Sequence, residues 1–159
     1  MRDEDQMADT APTREAQYTL DYLNSHRLGA LGERMGITVT ECTAERIVAT
    51  MPVEGNTQPF GLMHGGAYVV LGESLGSIHA NYLAPEGMVG VGIDINATHT
   101  ASATEGLVTA VCTPIHTGRT LTVHEIVITS EDGRRCSTVR ITNLYKTIKK
   151  GASSSRQAR

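Results

Sequence analysis

Between Gly65 and about Leu83 the chain carries a helical repeat that is apolar around most of its circumference. Ala67, Val70, Leu71, Ser74, Leu75 and Ile78 recur at the three-to-four spacing of an α-helix, and Pro85 and Gly87 end the run. A helix with one apolar stripe can lie on a surface, whereas a helix with little polar face has to be surrounded. The flanking sequence offers strands for that purpose. Ile37 and Val39 alternate over 37–42, and Ile47, Ala49, Met51 and Val53 alternate over 45–53. After the helix, Val89, Val91, Ile93 and Ile95 alternate, and apolar residues alternate with threonine over 107–116. Segments 120–130 and 135–145 form a further pair, joined by the turn Glu131-Asp132-Gly133. This order makes an α+β arrangement: a long central helix wrapped by a single curved antiparallel sheet that buries it completely.

Such a core needs few large aromatic side chains. With Phe 1, Tyr 5 and Trp 0 in 159 residues, Val, Ile, Leu, Met and Ala must carry the packing. The length suits one domain. Residues 1–16 read as a flexible, acidic and polar segment, 17–146 as the folded domain opening with a short helix over 17–28, and 147–159 as a basic flexible tail. The N-terminus is unlike a signal peptide, and no apolar run approaches the roughly 20 residues of a membrane span, so no membrane association is expected. A net charge of -3 without a basic stripe among aromatics argues against nucleic acid. Cys42, Cys112 and Cys136 form no C-x-x-C pair and are odd in number, which reads as reduced strand residues of a cytoplasmic protein. The histidines show no ligand spacing with the cysteines, so no metal is expected, and no cofactor either.

The chemistry concentrates at the helix. His64-Gly65-Gly66 gives it a start stripped of side-chain bulk, and Glu73 and Ser77 follow inside its apolar body. The backbone N–H of Gly65, with the helix dipole behind it, can polarise a carbonyl, and glycine lets the ligand come close. The alternative for the glycine pair is a tight loop-to-helix turn. Glu73 sits among Leu71, Gly72, Ser74 and Leu75, where a solvated acid is out of place. Its carboxylate suits a nucleophile or a general base. Ser77 lies one turn on and can support the ionised form, or can mark a close helix–sheet contact. Gln58, in the Gly- and Pro-bearing loop 54–63, can donate a second hydrogen bond or position water.

The element order, with H-G-G-A at the helix start and E-S-L-G-S inside it, resembles the hotdog-fold acyl-CoA thioesterases. The likeness is to the PaaI-type branch and, within it, to 4-hydroxybenzoyl-CoA thioesterases. It covers roughly residues 36–146. It rests on Gln58, the run Gly61-Leu62-Met63-His64-Gly65-Gly66, Glu73, Gly76-Ser77, the strand from Gly92 to Asn96, His116-Thr117-Gly118-Arg119 and the 131–133 turn. The resemblance implies hydrolysis of an aryl-CoA, 4-hydroxybenzoyl-CoA above all, to the acid and free CoA. It places His64 beside the site, in an orienting or a chemical role, and matches Arg119 and Thr120 to a phosphate- and pantetheine-side turn. Gly90, Val91 and Gly92 form a strand with one bare face, open either to a pantetheine arm or to close packing on the helix. Where the family often carries Arg-Pro after this strand, His99-Thr100-Ala101-Ser102 stands instead, and Ser77 replaces an expected Thr.

Spacing then constrains assembly. Gly65 and Glu73 are eight residues apart, about 12 Å along a helix. One thioester carbon cannot reach both, so the two groups have to come from different chains. A homodimer with composite sites is expected, and the resemblance implies the same, with Gln58, His64 and Gly65 of one subunit facing Glu73 and Ser77 of the other. The resemblance extends this to a homotetramer. Phenylacetyl- and 1,4-dihydroxy-2-naphthoyl-CoA remain alternative substrates, and a hotdog hydratase or dehydratase is the alternative reaction.

Overall fold

The computed structural model describes residues 12–148. Residues 1–11 and 149–159 lie outside the described residues, and with them most of the two end segments expected to be flexible. A 3-10 turn, Ala16–Tyr18, leads into α1 (Leu20–His26) and α2 (Gly29–Arg34). The strands β1 (Thr38–Cys42) and β2 (Ile47–Pro52) precede the long helix α3 (Gly65–Leu83), and β3 (Met88–His99), β4 (Leu107–Thr117), β5 (Leu121–Ser130) and β6 (Arg135–Thr147) follow it. All six strands form one antiparallel sheet in the order β1-β2-β4-β5-β6-β3. Register shifts at Val39/Glu41, Gly92/Asp94, Pro114/His116 and Ile128/Thr129 bend the sheet around α3.

Within 17–28, where one short helix is expected, the 3-10 turn ends and α1 follows, while α2 lies beyond that segment and is not anticipated by the sequence. Thr19 caps α1 by accepting from the Tyr22 N–H, and Gly29, at φ 66°, turns the chain as α2 begins. Asn24 of α1 pairs with both backbone groups of Val39 (2.8 and 2.9 Å), so the free edge of β1 is partly covered. Arg14 donates to the carbonyls of Asn81, Tyr82 and Ala84, the unpaired end of α3.

Two glycines set the distance between α3 and the sheet. A Cβ on Gly72 would stand 2.6 Å from Val139 Cγ1, and one on Gly76 would run into Ile141 Cγ2. The helix presents Ala67, Tyr68, Leu71, Leu75 and Ile78 to a core built from Ile47, Met51, Ile126, Ile128, Val139 and Ile141. The expectation of complete burial needs correction. Val69, Glu73 and Ser77 line a flank that the sheet leaves half-buried, because the sheet ends at β3 and does not close over the far side of the helix.

On the buried side the core holds a pair of imidazoles. His79 Nε2 is 2.8 Å from the Thr43 carbonyl, which can only accept, so Nε2 carries the proton. His79 Nδ1 then accepts from His124 Nε2 at 2.9 Å, and His124 Nδ1 is buried without a partner among the described residues. Cys112 adds a third metal-ligating atom within 4.8 Å, a grouping that no sequence spacing announced. Burial holds both imidazoles below their ordinary values. His124 is lowered to about 4, with the neighbouring His79 as the second cause.

Alanine at Gly76 is expected to destabilise the protein by about 1–3 kcal/mol through overpacking. That outweighs the roughly 1 kcal/mol it gains in helix propensity, and urea unfolding measures the balance. Because the unfolded chain binds more protons than the folded one below the ordinary histidine value, stability is full above about pH 6.5. It should decline as the pH falls toward 4. Thermal melts across that window read the slope, and His124→Gln, which keeps a donor toward His79 and does not titrate, flattens it.

Candidate active site

The loop before α3 is tied down at several points. Buried Asn56 donates to the carbonyls of Met35 and Pro52, and its own carbonyl accepts from the His64 N–H. Gly61 at φ 78° closes the turn, donating to the Gln58 carbonyl at 2.9 Å. Gln58 Oε1 accepts from the Phe60 N–H at 2.8 Å, which leaves the Nε2 amide as the free, donating end of that side chain.

His64 is the N-cap of α3. Its Nδ1 accepts from the Gly66 N–H at 2.8 Å, so the neutral ring carries its proton on the outward Nε2. The Gly66 N–H is thereby used, and the Ala67 N–H goes to the His64 carbonyl at 2.9 Å. The Gly65 N–H has no partner among the described residues and sits on the positive end of a 19-residue helix. His99 of β3 lies over this point. A Cβ on Gly65 would be 2.9 Å from His99 Nε2, and the ring is anchored by Ser137 Oγ at 3.0 Å and packed on Tyr68.

Two turns along the helix, the half-buried Glu73 accepts from Ser77 Oγ at 3.1 Å. Gly92 faces it from β3, where an added Cβ would come within 3.0 Å of the carboxylate. Asn143 of β6, opposite Gly92 in the register, reaches Ser77 Oγ with its Nδ2 at 3.4 Å. The unbroken helix holds the Gly65 and Glu73 ends apart within one chain. The structure therefore gathers Gln58, His64 and Gly65 at one end, and Glu73, Ser77, Gly92 and Asn143 at the other.

Of the residues expected to hold CoA, Gly90 and Gly92 turn their bare sides toward α3. A Cβ on Gly90 would meet that of Ala80 at 3.2 Å, the close packing weighed from the sequence. Val91 points outward, 40% exposed. Arg119 and Thr120 are exposed in the turn between β4 and β5. The register Leu121–Leu144–Val91 puts that turn at the same end of the sheet as Gly90.

Asn143 and His99 were not singled out from the sequence. Asn143 carried a readable signal, an amide in the apolar phase of Val139, Ile141 and Tyr145. His99 carried none, since its nearness to Gly65 depends on the fold.

The family model described as "Thioesterase superfamily" matches residues 60–137. The proofreading thioesterase EntH of Cronobacter turicensis is 44% identical over 124 residues, 77% of this chain and 90% of the relative. A thioesterase structure from Haemophilus influenzae superposes with a TM-score of 0.80 at 36% identity, over 85% of this chain and 95% of that one. A mutant thioesterase from Pseudomonas aeruginosa gives 0.78 at 36%, over 82% and 95%. By sequence and by architecture alike, this chain belongs to the thioesterase superfamily and has its hotdog fold.

Proposed function

We propose that this thioesterase hydrolyses an aryl-CoA, with 4-hydroxybenzoyl-CoA the expected substrate, to the carboxylic acid and free CoA. The observation that carries the reading is Glu73: a half-buried carboxylate in an apolar helix, hydrogen-bonded by Ser77, with Gly92 clearing the space before it. The thioester oxygen is held by the free Gly65 N–H and by Gln58 Nε2, donors aimed at the charge that develops on oxygen in the tetrahedral state. Glu73 either attacks the carbonyl carbon, giving a mixed anhydride that water then opens, or takes the proton of an attacking water. In both routes the thiolate of CoA leaves. His64 and His99 shape the carbonyl end. Val91, with Gly90 and Gly92, borders the pantetheine, and Arg119 with Thr120 meets the phosphates.

The composite site follows from the same helix. A thioester polarised at Gly65 has to be attacked by Glu73 of a second copy, some 12 Å of helix being too far within one chain. β3 supports that assembly. It is a long edge strand bonded, among the described residues, to β6 alone, with Val91 40% and Ile93 56% exposed, a surface suited to pairing with its own copy. We read the assembly as a homodimer that pairs into a homotetramer. The free cysteines fit a place in the cytoplasm.

Glu73→Ala should lower kcat by roughly a hundredfold to ten-thousandfold, the range for loss of a general base. Thiol release from 4-hydroxybenzoyl-CoA measures it, and an intact rate ends both roles. In a panel of benzoyl-, 4-hydroxybenzoyl-, phenylacetyl-, dihydroxynaphthoyl- and short aliphatic CoA esters, kcat/KM should peak at 4-hydroxybenzoyl. A peak among the aliphatic esters overturns the aryl assignment. Loss of an enoyl-CoA absorbance without thiol release points to hydration instead. Dissociating and remixing inactive Gly65→Ala and Glu73→Ala chains should restore about a quarter of the activity, since half the dimers are hybrids with one intact site each. No recovery contradicts the shared site.

A further inference from the structure

We propose that Asn143 is a positioning residue: it accounts for the single proton of the Ser77 hydroxyl being spent on Glu73. The proposal rests on the reading of Glu73 as the reacting carboxylate. Asn143 occupies the inward phase of β6 with Val139, Ile141 and Tyr145, and it is 0% exposed. An aliphatic residue would fill that place without burying an amide. The amide is poorly rewarded as a structural group, because among the described residues its Oδ1 is buried with no partner and its Nδ2 has one hydrogen-bond partner, Ser77 Oγ at 3.4 Å. Buried polar groups that are left partly unpaired concentrate where function requires them.

The helical serines of this chain supply the comparison. Ser74, three residues earlier in α3, donates to the Val70 carbonyl at 2.8 Å, and Ser25 in α1 donates to the Asp21 carbonyl at 2.7 Å. Bonding back to the carbonyl four residues earlier is the ordinary use of a serine proton inside a helix. Ser77 departs from it and donates to the Glu73 carboxylate at 3.1 Å. What distinguishes Ser77 is the N–H arriving from β6. An oxygen that accepts from Asn143 Nδ2 has its proton free to point the other way, toward Glu73, and the rotor is fixed between the two. The arrangement needs Gly92, because a Cβ there would stand 3.0 Å from Glu73 Oε1 and 3.7 Å from Asn143 Nδ2. The relay Asn143 Nδ2–H to Ser77 Oγ–H to Glu73 Oε1 holds the carboxylate in one rotamer, oriented for attack or for taking a proton.

The test is a double-mutant cycle on hydrolysis of 4-hydroxybenzoyl-CoA, or of the best ester in the panel, with melting temperatures followed in parallel. Asn143→Leu should lower kcat about tenfold, in keeping with loss of a hydrogen bond that serves a charged group, with KM changed by less than about twofold. Ser77→Ala should give a similar fall. In the Ser77→Ala background Asn143→Leu should change kcat by less than about twofold, because the residue acts through that hydroxyl. Wild-type kcat in Asn143→Leu, or losses that multiply in the double variant, overturn the proposal. If Asn143→Leu does not fold, Asn143→Asp carries the test. It keeps the shape, accepts the Ser77 proton instead of donating, and should lose at least about tenfold in kcat; a wild-type rate there overturns the proposal equally. Glu73→Ala is assayed beside them. If it still hydrolyses the ester, the reading of Glu73 fails first. If it is inactive while the Asn143 variants keep full kcat, the positioning role alone fails.

Discussion

Everything at this site depends on how closely α3 lies on β6 and β3. Gly72 and Gly76 let the helix sink onto Val139 and Ile141, and Gly90 and Gly92 do the same from the strand side. Four missing side chains along one seam bring a helical carboxylate, a helical hydroxyl and a strand amide within hydrogen-bonding distance. A helix set at an ordinary separation from a sheet would place side chains of both elements between these groups. The glycines weaken the helix intrinsically. The packing of Leu71, Leu75 and Ile78 into the core offsets that loss.

The same helix carries polar groups on two flanks, and the sheet treats them differently. His79 faces the covered side, where His124 and the Thr43 carbonyl satisfy it and burial keeps the pair neutral. Glu73 faces the flank beside the edge strand, half-buried and within reach of a ligand. Where the sheet stops thus separates a fully buried polar group from a half-buried one. A charged imidazole in the first position would lose its hydration, and the Thr43 carbonyl and Glu45 return less than that loss. A carboxylate in the second keeps access to water and to a substrate while a hydroxyl restricts its rotamers.

The long helix, its ends and the six strands are legible in the sequence because their apolar residues recur with a regular period. Gly65–Leu83 follows a period of 3.6, and β2 and β5 alternate between buried and half-buried positions along their length. The short α2 was not legible: six residues with two glycines give too little pattern to read. The wrapping of α3 was read as complete because apolar residues on a flank look alike whether the chain's own sheet or another surface covers them. Glu73, Gly65 and Ser77 stood out because each breaks a local rule. The pairing of His79 with His124 and the approach of His99 to Gly65 join residues 45 and 34 positions apart, and no local pattern encodes that.

The sequence by itself determined the α+β class, the place of the helix start and the position of the acid one face of α3 presents. It also determined that Gly65 and Glu73 stand about 12 Å apart along one helix, because the rise of a helix is fixed by its backbone hydrogen bonds. The tertiary structure alone decided which strand lies against the acid. β3 crosses to the far edge beside β6 instead of pairing with its neighbour β4. That crossover, set by how the whole sheet closes on the helix, brings Gly92 and Asn143 to Glu73 and leaves β3 as a free edge. Local propensity fixes elements and spacings along the chain, whereas contacts between distant strands exist only once the core is packed.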